Sequence, residues 1–68
     1  MDTYLAEMQY YDDSTFDGMW VGVERLFVCD SVEKIAEWAS DLGWQVFSIV
    51  KVDPKNHVGL RIVRISAE

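Results

Sequence analysis

One segment constrains this chain more than any other: Asp30-Ser-Val-Glu-Lys-Ile-Ala-Glu-Trp-Ala-Ser-Asp-Leu-Gly43, set between runs that read as strands. Asp30 or Ser31 can accept a hydrogen bond from a free amide of the first helical turn. Glu33 stands where its carboxylate can bond back to the cap. Val32, Ile35, Ala36, Ala39 and Leu42 recur at helical spacing on one face. Glu33, Lys34, Glu37, Ser40 and Asp41 occupy the opposite side, with Trp38 on the flank. Gly43 follows the last apolar residue, where a left-handed residue commonly ends a helix. The segment predicts one amphipathic helix.

The flanking runs alternate in the manner of strands. Thr3 to Tyr11 places Tyr4, Ala6, Met8 and Tyr10 on one face and Leu5, Glu7, Gln9 and Tyr11 on the other. Helical propensity at Leu5, Ala6 and Met8 is the competing signal. Asp12 to Gly18 is polar and turn-like, and Trp20 to Cys29 is rich in valine and aromatics, as strands are. After the helix, Trp44 to Val52 puts Val46, Val50 and Val52 on one face and Phe47 and Ile49 on the other. Asp53-Pro-Lys-Asn-His57 is a turn by composition. Val58 to Ile65 reads as a last strand, Leu60 and Ile62 opposite Val63 and Ile65.

The order β-β-α-β-β predicts an α+β fold: a four-stranded antiparallel sheet with one helix packed on one face. Strand order 2-1-3-4 would keep every neighbouring pair antiparallel. The 68 residues read as a single domain, 1–68. With 50% hydrophobic residues and nine aromatics, disorder is disfavoured. A core of this size is small, and such domains commonly need a disulfide, a metal or a second subunit. Cys29 stands alone, so no internal disulfide forms, and it lacks the Cys/His company of a zinc site. One helix cannot cover both sheet faces, so a homodimer through the sheet is expected. No basic leader or membrane-length apolar stretch is present, and a cytoplasmic setting is expected.

Charge is unevenly placed. The net charge is -6, yet residues 1–43 carry ten carboxylates against only Arg25 and Lys34. Residues 44–68 carry Asp53 and Glu68 against Lys51, Lys55, Arg61 and Arg64. The acidic part disfavours direct nucleic-acid binding and favours a basic protein surface as partner.

Motifs for chemistry are sparse. Asp13, Thr15, Asp17, Gly18 and Glu24 match positions one, three, five, six and twelve of a calcium loop. Thr15 is a poor third ligand, the flanks favour strands over helices, and no second loop exists to pair with it. An acidic hairpin loop is the better reading. Cys29 precedes the helix, where a thiolate is favoured, but the single His57 lies in a turn and a buried, inert cysteine is far commoner. The four glycines at 18, 22, 43 and 59 form no phosphate loop. No catalytic residue, cofactor or metal is assigned, and the chain reads as no enzyme.

Recognition is the better-supported role. Aromatics beside acidic residues are a common form of interaction hot spot. Asp12, Asp13, Phe16, Asp17 and Trp20 around the first turn, with Glu33, Glu37, Trp38 and Asp41 along the helix, are the expected partner-binding residues. In small size, acidity and lack of catalytic machinery the chain resembles inhibitors encoded by phages and other mobile elements, including anti-CRISPR proteins. The resemblance is one of overall character and transfers no residue roles. It implies an inhibitor of a nucleic-acid-handling protein, with the acidic surface as a nucleic-acid mimic. A small regulatory or ligand-binding homo-oligomer is the alternative.

Overall fold

The computed structural model describes residues 1–14 and 16–65. Its elements are β1 (Asp2–Asp12), β2 (Met19–Cys29), α1 (Val32–Leu42), β3 (Gln45–Lys51), a 3-10 turn (Pro54–Asn56) and β4 (Ile62–Arg64). Together they form a small α+β fold with a four-stranded sheet and one helix.

β1 and β2 pair along their full length, from Asp2 opposite Cys29 to Asp12 opposite Met19. β3 lies antiparallel along the other edge of β1. The order is β3-β1-β2-β4, so the expected neighbours of β1 are found and β4 is not where the antiparallel scheme put it. It crosses to the far edge and runs parallel to β2, Leu26 opposite Ile62 and Val28 opposite Arg64. The sheet is therefore mixed. Residues 52–61 connect the two edges and are tied at both ends: the Val52 amide donates to the Thr3 carbonyl at 3.0 Å, and the Leu26 amide to the Arg61 carbonyl at 3.0 Å. Sheet edges three strand spacings apart are separated by about 14 Å, well within reach of such a segment. Docking on β2 brings Val63 and Ile65 against the core, which a hairpin on the outer edge of β3 would not do as directly.

The helix forms where expected but is held differently. Ser31 is the cap residue and its side chain makes no capping hydrogen bond. Its carbonyl instead accepts from the Lys34 amide at 3.2 Å and from the Cys29 thiol at 3.2 Å. Gly43 closes the helix at φ 75°, as the sequence predicts. The buried seam is Ile35 and Ala39 with Trp38 half-buried beside them, while Val32, Ala36 and Leu42 are exposed. The large indole turns the helix so that its own flank, rather than Ala36, meets the sheet.

Ala6, Met8, Phe27, Cys29, Ile35 and Ala39 form the core cluster, with Tyr4, Val23, Trp44, Val46, Ile49, Val63 and Ile65 packed around it. The two alanines let helix and sheet approach closely. Strict alternation would put Val46 and Ile49 on opposite faces. A bulge resolves this: Glu7 pairs with Ser48 and Met8 with Val46, leaving Phe47 as the extra residue. The phase of β3 inverts there, so both Val46 and Ile49 face the core while Phe47 and Val50 remain exposed.

Leu26 alternates with Phe27 and so points away from the helix, yet it is only 1% exposed. The 52–61 connection reaches β2 at this residue, its Arg61 carbonyl accepting the Leu26 amide, and its His57 and Leu60 are half-buried. The face opposite the helix is thus covered at one end and open at the other.

Candidate docking arm and open sheet face

β1 and β2 outrun their neighbours. β3 reaches no farther than Gln45 opposite Gln9, so Tyr10–Asp12 and Met19–Val21 continue as a two-stranded arm. On the helix side the arm is braced by an aromatic row. Phe27 meets Trp38 edge-on at 5.0 Å, Trp38 meets Trp44 edge-on at 5.3 Å, and Trp44 stacks on Tyr10 at 4.8 Å. The Arg25 guanidinium sits 5.7 Å from the centre of the Trp44 ring. The base of the arm is therefore anchored to the core.

Its far end is bare. Tyr11, Met19 and Trp20 are each about half exposed, and Phe16 is fully exposed at the tip. Tyr11 and Trp20 sit opposite each other across the strands, edge to face at 5.4 Å. The Tyr11 hydroxyl donates to the Asp17 carbonyl at 3.4 Å. Gly18 makes this fold of the loop possible. Its φ of 66° is left-handed, and a Cβ there would collide with the Tyr11 hydroxyl. At the start of the loop the Asp12 carboxylate accepts the Ser14 amide at 2.9 Å. Hydrogen bonds from the Ser14 hydroxyl and amide hold the Asp12 carboxyl below its ordinary range.

The expected partner-binding residues fall into two groups. Asp12, Asp13, Phe16, Asp17 and Trp20 do come together, at the end of the arm. Glu33, Glu37 and Asp41 lie exposed on the helix, on the other side of the sheet from Trp20. Trp38 is packed between Phe27 and Trp44 and serves the core. The calcium-loop pattern is not assembled. Glu24 is in mid-strand, five residues beyond the start of β2, opposite Glu7. At about 3.4 Å per residue it stands well away from Asp13 and Asp17. Thr15 lies outside the described residues, and among the described residues no three acidic, histidine or cysteine side chains are grouped to hold a metal.

The sequence predicts an uncovered sheet face but does not single out the residues that line it beside the arm. From the arm inward it presents Tyr11 and Trp20, then Gln9 and Gly22, then Glu7 and Glu24, as cross-strand pairs. Phe47, displaced by the bulge, stands exposed next to them. Glu7, Gly22, Glu24 and Phe47, with Met8 and Val23 beneath, line a shallow open groove of about 380 Å³. Glu7 and Glu24 share parity with the exposed side of their strands, which was the available signal.

Cys29 is sealed in the core. Burial pushes its thiol up, and the Asp30 and Asp2 charges add to this. A thiol so placed is a poor nucleophile. Alkylation of native protein at pH 8 should run about a hundredfold or more slower than of denatured protein, since it must await opening of the core. Equal rates would refute the burial.

No family model matches the chain, and no curated protein or solved structure shows significant similarity to it. Among the described residues no helix is long and apolar enough to cross a membrane.

Proposed function

We propose that this chain is a non-enzymatic binding module that docks its hairpin arm and open sheet face on a basic surface of another protein. The observation that carries the reading is the arm itself. A two-stranded ribbon is marginal on its own, and here its outer end exposes Tyr11, Phe16, Met19 and Trp20 beside Asp12, Asp13 and Asp17. Aromatic anchors ringed by one sign of charge suit a complementary protein surface: the charge speeds encounter and the rings hold the complex. Nucleic-acid-binding proteins offer such basic surfaces, and a protein seated there acts as an inhibitor by occupying the place of the phosphates.

The test is affinity capture with the wild-type chain, compared with Asp13→Lys/Asp17→Lys and with Trp20→Ala. Asp12 is left intact because it holds the Ser14 turn. A partner recovered by the wild type should bind each variant about tenfold or more weakly, a loss typical of an interface anchor or of reversed charge. Full retention by both variants would refute the reading.

A homodimer is the second reading, favoured by Phe47, Val50 and Ile62 left exposed on the sheet. Two open faces brought together would crowd Glu7 and Glu24 of both copies, which weighs against this geometry. Light scattering at micromolar concentration should report twice the 7.9 kDa chain mass if the dimer forms.

A further inference from the structure

We infer that the groove over Gly22 receives an arginine side chain of the partner protein, a deepening that rests on the binding role proposed above. Three features point to it. The first is Gly22 itself, an interior strand residue with no positive φ and with nothing within 4 Å of where a Cβ would sit. Neither backbone nor packing requires glycine there, and β-branched residues suit a strand better. A strand glycine of this kind often marks close approach by a ligand or another chain.

The second feature is the pair Glu7 and Glu24, directly opposite on neighbouring strands. Like charges so placed are unfavourable in the free protein. Among the described residues the only ion pair is Lys51 with Asp2, so neither glutamate has a cation of its own fold. Directly opposite residues have Cβ atoms about 5 Å apart, close enough for two flexible glutamates to share one planar guanidinium, which donates from several nitrogens at once. The third feature is Phe47, which lines the same groove and offers an exposed ring face to a cation. Arginine satisfies all three better than lysine, whose ammonium is a compact point charge that does not stack.

The test is titration of the isotope-labelled full chain with acetyl-Gly-Arg-Gly-amide, followed by amide chemical shifts. The control peptide carries citrulline, which keeps the shape and loses the charge. Saturating shifts should centre on Glu7, Gly22, Glu24 and Phe47, with the citrulline peptide about tenfold weaker or worse, as loss of charge-assisted bonds implies. Gly22→Val should abolish the shifts while melting at the same or a higher temperature. Glu7→Gln and Glu24→Gln, which relieve the repulsion, should melt no lower and bind more weakly, and they serve if Gly22→Val fails to fold. An equal response to citrulline, shifts centred on Glu33, Glu37 and Asp41, or binding that survives these substitutions would overturn the inference. So would a homodimer that Gly22→Val dissociates, because a second copy would then be the occupant. A failed peptide titration alongside partner capture that still depends on Asp13, Asp17 and Trp20 would remove this inference and leave the docking arm standing.

Discussion

Phe27→Ala is expected to remove about a third or more of the stability of this fold. Phe27 is fully buried, opposite Tyr4 in β1 and Val63 in β4, with its ring against Trp38. It joins both sheet neighbours to the helix. Truncating a buried phenylalanine costs about 3–5 kcal/mol, part from lost transfer energy and part from the cavity left behind. A domain of this length has roughly 3–10 kcal/mol of stability in total. In circular dichroism the melting temperature should fall by about 15 °C or more, given some 4–8 °C per kcal/mol for small domains. A fall of a few degrees would mean that the core is not centred on Phe27.

The second large effect separates two tryptophans that look alike in sequence. Trp38→Ala should destabilise the fold by about 3 kcal/mol, because its indole is the link between Phe27 and Trp44 and so between the core and the base of the arm. Trp20→Ala should cost only about 0.5–1.5 kcal/mol, the worth of its edge-on contact with Tyr11, since Trp20 is 52% exposed. Urea denaturation of the two variants decides the matter. Equal losses would show that the arm is packed rather than exposed. The contrast also bears on function: of the two tryptophans, Trp20 is the one whose removal tests the proposed docking surface with little loss of stability.

Several features of the proposed docking surface are legible in the sequence. The acidic first turn with Phe16 and Trp20 forms a unit because it spans one hairpin, and local contacts need no knowledge of distant partners. Glu7 and Glu24 were harder. Each shows an exposed parity on its own strand, but their facing each other depends on the register of the pair. Phe47 was hidden by the bulge, which inverts the phase on which any parity argument rests. Trp38 reads as a flank residue of the helix, and a flank position at helical spacing does not say which way the helix rolls on the sheet. That is settled by how a bulky indole fits between Phe27 and Trp44.

The amino-acid pattern by itself determined most of the elements: one helix ended by Gly43, a long first hairpin, a third strand after the helix, and a last strand, which it extends over Val58 to Ile65 where the structure keeps only Ile62–Arg64 because the chain is still turning through Gly59 at φ 100°. These depend on periodicity, propensity and turn chemistry, which act over a few residues. Tertiary structure alone decided that β4 crosses to β2 and lies parallel, that Leu26 is buried on the face away from the helix, and that the sheet stays open beyond it. A short apolar strand pairs with whichever edge lets its side chains reach the core. For Val63 and Ile65 that edge lay beside Phe27 and Cys29, more than thirty residues away in the chain. No local rule carries that choice, because the energy that selects it exists only once the core has assembled.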